Sequence, residues 1–101
     1  FIAYVNDTAV GCVSFKKCEE GPAEIKRMFV KPEFRKFGIA KELLLVLEKK
    51  AKENDYQKLI LETNKDFTTA INLYKKMNFN EIEKYGPYIN IDSSICLGKN
   101  I

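Results

Sequence analysis

Between Ala23 and Leu44 the sequence AEIKRMFVKPEFRKFGIAKELL changes its hydrophobic period once, and that change limits the folds open to the chain. Ala23 to Val30 is rich in apolar and β-favouring residues and reads as a strand. Pro32 cannot donate to a ladder, so the strand stops there. From Ile39 onward the apolar residues recur at helical spacing, and Ala40, Leu43, Leu44, Leu47 and Ala51 share one face. A strand therefore feeds a helix through Arg35-Lys36-Phe37-Gly38. Gly38 lets backbone approach a ligand, and the helix start offers unpaired N–H groups and the positive end of a dipole, which suits phosphate. Alone, one glycine at such a junction is equally an ordinary tight turn.

The rest of the chain supplies the partners of this unit. Phe1 to Val5, a turn at Asn6-Asp7 and Ala9 to Lys17 read as a hairpin, and a turn at Cys18 to Pro22 leads into Ala23 to Val30 as the third strand of an antiparallel meander. Lys41, Glu42, Glu48, Lys49 and Lys52 form the solvated side of the first helix, which Asn54-Asp55 ends. Lys58 to Thr63 carries the continuous run Leu59-Ile60-Leu61, as expected of a strand buried on both faces in parallel pairing. Asp66 is placed to cap a second helix with the stripe Phe67, Ala70, Ile71, Tyr74 and Met77, closed by Asn78. Phe79 to Lys84 and Tyr88 to Asp92 read as strand segments interrupted by Gly86-Pro87, and Ser94 to Lys99 as a last strand.

At 101 residues, 46% hydrophobic and 31% charged, the chain is expected to form a single domain over residues 1–101. No apolar run approaches the ~20 residues that cross a bilayer, and no secretory leader pattern opens the sequence, so a cytoplasmic protein without a membrane role is expected. An opening inside an apolar strand reads as a truncated start. Three cysteines, Cys12, Cys18 and Cys96, lack CxxC spacing and read as reduced thiols. The net charge of +3 is mild and its lysines are scattered along helices, which argues against nucleic acid as a partner. Lys31, Arg35, Lys36 and Lys41 nevertheless gather beside the turn, where they would attract a small polyanion.

The absence of histidine removes Ser-His-Asp and Cys-His nucleophile systems and most zinc sites, and no metal is expected. The turn is also neither GxxxxGK[ST] nor GxGxxG. Its flanks are more specific. Val30-x-Pro32-x-x-Arg35-x-x-Gly38-Ile39-Ala40 resembles the acetyl-CoA signature of the GNAT superfamily of N-acetyltransferases, [QR]-x-x-G-x-[GA] after a strand ending V-x-P, at every signature position. Ala70-x-x-Leu73-Tyr74-x-x-x-Asn78-Phe79 is similar to the later family pattern A-x-x-L-Y-x-x-x-G-F, with Asn78 in place of glycine. The spacing of Glu24 from Gly38 is similar to that of the strand glutamate used as a base in the histone-modifying branch.

This resemblance implies an α/β (α+β) fold, a mixed and mostly antiparallel sheet whose central parallel pair is flanked by helices, here without the family's opening strand and first two helices. It implies acetyl-CoA as co-substrate, a small amine or peptide as acceptor, and acetyl transfer by direct attack of a primary amine. A non-catalytic CoA-binding or interaction module with the same fold is the alternative. Backbone groups of Met28, Phe29 and Val30 would pair with the pantetheine arm, and N–H groups from Arg35, Lys36, Phe37, Gly38, Ile39 and Ala40 would hold the pyrophosphate, with charge added by Arg35, Lys36 and Lys41. The resemblance makes Tyr74 the acid for the leaving thiolate; periodicity alone makes it a core aromatic. Glu24 reads as the base, directly or through water, or else as a solvated strand residue or a partner for Lys26. Asn64 and Asn72 are candidates for cofactor contact or for polar loop and helix-surface roles. Exposed strand edges near the C-terminus suit a homodimer.

Overall fold

The strands β1 (Ile2–Val5) and β2 (Thr8–Lys17) meet at Asn6 and Asp7, both at positive φ (48° and 67°), the left-handed pair that a tight hairpin of right-twisted strands requires. This is a computed structural model, and it describes residues 1–17, 21–35 and 37–101. The expected turn at Cys18 to Pro22 therefore lies partly outside the described residues. Beyond it come β3 (Ala23–Val30), α1 (Ile39–Glu53), β4 (Lys58–Asn64), α2 (Thr68–Lys76), β5 (Asn80–Ile82) and β6 (Ser94–Asn100). Among the described residues the strands form one sheet in the order β1-β2-β3-β4-β6-β5, antiparallel except between β3 and β4.

Alternation along the strands divides the sheet into two faces. Val13, Ala23, Ile25, Leu59, Leu61 and Leu97 join Leu43, Leu44, Leu47 and Ala51 of α1, Tyr74 of α2, and Phe79 in one core cluster. The α1 stripe expected from the sequence is thus the face that is buried. Each of its leucines contributes about 1.5–3 kcal/mol by leaving water. Glu24, Lys26, Ile60, Glu62 and Cys96 alternate with these core residues and belong to the opposite face. There residues 83–93 cross the sheet as a strap, held by two side-chain hydrogen bonds described below.

One irregularity shapes everything that follows. In β3 the register with β2 jumps from Cys12↔Phe29 to Ser14↔Lys26, so Arg27 and Met28 together oppose Val13. Arg27 has φ 56°, and its carbonyl accepts a hydrogen bond from the Cys12 thiol at 3.2 Å. Such a bulge bends and twists the strand that carries it. Parallel pairing with β4 is confined to Ala23↔Leu59 and Glu24↔Ile60. Beyond this point the two strands fork.

Several expectations need correction. Asp66 does not cap α2: Phe67 holds that position without a side-chain bond, while the Asp66 N–H donates to Asn64 Oδ1 at 2.8 Å. Phe67 is 60% exposed and not part of the buried stripe. The β4 run is buried as expected, but its second neighbour β6 is antiparallel. Glu48, assigned to a solvated face, reaches Lys99 Nζ at 2.6 Å. Only Asn80–Ile82 of the Phe79–Lys84 segment joins the sheet. Tyr88 to Asp92 is no strand, because Gly86 (φ 53°) and Pro87 open a 3-10 turn over Gly86–Tyr88 that the strap continues.

Candidate active site

The fork opens beside a cavity of about 950 Å³, walled by the end of β3, the start of α1 and the first two turns of α2. Nine residues singled out from the sequence line it: Met28, Phe29, Val30, Arg35, Gly38, Ile39, Ala40, Lys41 and Tyr74. Met28 to Arg35 and Gly38 to Lys41 thus supply a strand edge, a turn and a helix start around one space. Gly38 adopts φ 77° and ψ 10° and offers no side-chain cap to α1, whose first main-chain bond runs from the Glu42 N–H to the Gly38 carbonyl at 3.0 Å. The N–H groups of Ile39, Ala40 and Lys41 precede that bond and have no intrahelical acceptor. Arg35 stands next to them, donating Nε–H to the Val30 carbonyl at 3.0 Å and lying 5.9 Å from the centre of the Phe29 ring.

Tyr74 closes the cavity from α2. It is 7% exposed and packs edge-on against Phe79 with ring centres 5.7 Å apart, so both readings of this residue have a structural basis. Among the described residues its hydroxyl has no hydrogen-bond partner, and no buried side-chain polar atom is unpaired. That hydroxyl therefore faces the open space of the cavity. Burial raises its pKa above the usual tyrosine value, which keeps the proton on the phenol.

The remaining candidates are placed differently. Phe37 is 74% exposed and borders a shallower groove with Phe1, Ala3 and Val46. Asn64, at the end of β4, accepts the Asp66 N–H, and Asn72 is exposed on α2; neither lines the cavity. Lys36 lies outside the described residues. Conversely, Phe34, Phe67, Thr68, Thr69 and Leu73 line it although none was expected to be a site residue. Leu73 was legible, being one residue from Tyr74 in the same motif and three from Ala70, whereas Phe67 to Thr69 enter only because α2 begins over the fork.

Glu24 lies at the apex of the fork, on the face opposite the helices. It is 4% exposed, so it is not a solvated strand residue, while the expected pairing with Lys26 is present. Its Oε2 accepts the Tyr85 hydroxyl at 2.7 Å, Lys26 Nζ stands 3.4 Å from the same oxygen, and Lys16 Nζ is 3.8 Å from Oε1. Lys26 also donates to Tyr88 Oη at 2.7 Å, and that bond is the main reason its pKa is raised. The rings of Tyr85 and Tyr88 meet edge to face at 5.5 Å. Burial first, and then the bond to Glu24, push the Tyr85 phenol far above the ordinary tyrosine range. Sequence reasoning did not connect these tyrosines to Glu24, because 61 residues separate Tyr85 from it.

An unpaired strand edge, a basic helix start and a largely apolar cavity come together in this α/β protein. Comparison with known proteins agrees with this class. The Acetyltransferase (GNAT) family model matches residues 1–79, and the chain belongs to that family. An uncharacterized N-acetyltransferase of Dictyostelium discoideum is 45% identical over 71 residues, 70% of this chain and 32% of that protein. An IAA acetyltransferase of Azospirillum brasilense is 38% identical over 88 residues, 86% of this chain and 58% of that protein. The chain thus spans less than two thirds of either curated relative. A crystal structure of a GNAT family acetyltransferase from Elizabethkingia anophelis with acetyl-CoA bound superimposes with a TM-score of 0.86 at 25% identity, covering 99% of this chain and 74% of that one.

Proposed function

We propose that this chain belongs to an N-acetyltransferase that moves an acetyl group from acetyl-CoA to a primary amine by direct attack in a ternary complex. The observation that carries the reading is the single cavity that brings the Arg35–Lys41 corner, the free edge of β3 and the Tyr74 hydroxyl together. The residues fit the co-substrate. Unpaired N–H groups at the start of α1, with Lys41 and Arg35 beside them, suit a pyrophosphate. The edge of Met28, Phe29 and Val30 beyond the fork suits an amide-bearing arm added like a strand. When bound, acetyl-CoA supplies a thioester carbonyl open to nucleophilic attack.

The chain's own groups then have separable tasks. A backbone N–H near Phe29 stabilises negative charge on the carbonyl oxygen. An alkyl amine is mostly protonated at neutral pH, so a base is required, and Glu24 at the fork is that base or the end of its path. Tyr74, kept protonated by burial, donates its proton to the departing sulfur.

Calorimetric titration with acetyl-CoA tests binding, and release of free CoA thiol in the presence of an amine panel tests transfer. Binding together with amine-dependent thiol release supports the reading. Binding without release for every amine identifies the alternative, a CoA-binding module, and no binding removes both.

A further inference from the structure

The strap over the outer face of the fork lies beyond residues 1–79, which the family model matches. Its two tyrosines are fastened to the two polar residues of β3 on that face, Tyr85 to Glu24 and Tyr88 to Lys26, each at 2.7 Å. The consequence for Glu24 is direct. Its side chain is 5% exposed, its Oε2 already receives the Tyr85 proton, and Lys16 and Lys26 stand on either side. Tyr85 is half-buried, and so more accessible than the carboxylate to which its hydroxyl is bonded.

We propose that Tyr85 is the group that touches the acceptor amine and relays its proton to Glu24, an inference that rests on the acetyltransferase reading above. One N–H bond of the alkylammonium acceptor breaks and that proton passes to Tyr85 Oη, which frees the nitrogen lone pair to bond to the acetyl carbon. In the same movement the Tyr85 O–H bond breaks and its proton passes to Glu24 Oε2. The tyrosine ends neutral, as it began, and the carboxylate ends as a carboxylic acid. The C–S bond then breaks toward sulfur, which takes the Tyr74 proton; the second N–H proton, lost as the amide forms, restores the Tyr74 phenol, and Glu24 gives its proton to water. A phenol suits this task because its oxygen can accept one proton while donating another. Burial and the Glu24 bond keep it protonated across the working range of pH.

The surroundings of the pair are those of a fixed relay. Lys16 faces Glu24 from β2 and Lys26 from β3 itself, Tyr88 approaches from the strap, and the same face carries Glu62 of β4 and Cys96 of β6, whose thiol pKa is raised mainly by burial. The Tyr88–Lys26 bond and the edge-to-face contact between the rings hold Tyr85 where only a short proton transfer remains.

The test uses the complete protein, acetyl-CoA and the best acceptor found in the amine panel, with rates followed by thiol release from pH 6 to 10. Tyr85→Phe and Glu24→Gln are each expected to lower kcat about 100-fold at pH 7, the usual scale of one acid–base group, while acetyl-CoA affinity stays within about twofold. The double variant is expected to be no slower than either single one, because both residues serve one path. The deficit of Tyr85→Phe should shrink as pH rises and free amine accumulates. A deficit equal at every pH, a rise in acceptor KM alone, or additive losses in the double variant would overturn the relay and leave Tyr85 as a wall of the acceptor site. Should wild-type protein bind acetyl-CoA yet release no thiol with any amine, the acetyltransferase reading itself fails and takes the relay with it, a result distinct from the variant outcomes.

Discussion

Arg35 donates its Nε–H to the carbonyl of Val30 at 3.0 Å, tying the turn that precedes α1 to the last residue of β3. The same guanidinium lies over Phe29, so one side chain sets the angle between the strand edge and the helix start. Arg35→Ala is expected to weaken acetyl-CoA binding at least about tenfold, in line with the 1.5–3 kcal/mol typical of a hydrogen bond to a charged group. Arg35→Lys should recover only part of the loss, since lysine restores charge without the Nε donor. Calorimetry on both variants decides this, and wild-type affinity in the lysine variant would show that the Val30 bond is dispensable.

Gly38 separates space from conformation. A Cβ added there meets nothing within 4 Å, yet φ is 77°. Gly38→Ala should therefore cost about 1–2 kcal/mol of stability from backbone strain, with acetyl-CoA binding largely retained. Gly38→Asp adds negative charge where phosphate is expected, and binding should disappear. Denaturant unfolding and calorimetry read the two effects independently; undiminished binding in the aspartate variant would remove the phosphate-corner argument.

The Tyr74 hydroxyl has no protein partner among the described residues, whereas its ring is part of the core. Tyr74→Phe should leave the thermal midpoint and acetyl-CoA affinity nearly unchanged while kcat falls about 100-fold or more, the scale of a lost general acid. A variant that unfolds early or binds poorly, with turnover per bound molecule intact, would assign the residue to packing alone.

Stability should decline in alkali. Burial raises the phenols of Tyr74 and Tyr85 above 10.0, and Lys26 is raised above 10.5 by its bond to Tyr88. Above these unfolded values the unfolded chain holds fewer protons than the native one, so unfolding gains on folding as pH rises. The contribution is complete below pH about 10 and is lost as pH climbs through the folded values. Thermal midpoints measured from pH 8 to 11 should fall most steeply above 10, and Tyr85→Phe should flatten that slope. An unchanged slope would mean that the Tyr85–Glu24 bond does not persist in solution.

The local levels of this protein were legible in its residues. Period-two and period-3.6 patterns placed the meander strands, α1 with its buried stripe, and β4 to within a residue or two, because those elements are decided by which side chains neighbouring positions present to the core. The Arg35-x-x-Gly38-x-Ala40 spacing located the corner of the cavity for the same reason: a turn, its glycine and the helix it opens are contiguous in sequence.

Tertiary contacts decided the rest. The bulge at Arg27, which bends β3 and limits its pairing with β4 to Ala23 and Glu24, leaves no mark on the hydrophobic period. Residues 83–93 carry enough apolar residues for a strand, yet Gly86 and Pro87 turn them and Glu24 and Lys26 capture their tyrosines, so they cross the sheet instead of joining it. Asp66 had the chemistry of a cap, but Asn64 claimed its amide first. Sequence specifies what each segment can become, through interactions a few residues long; partners some 60 positions away determine which groups surround Glu24, and only the folded sheet brings them together.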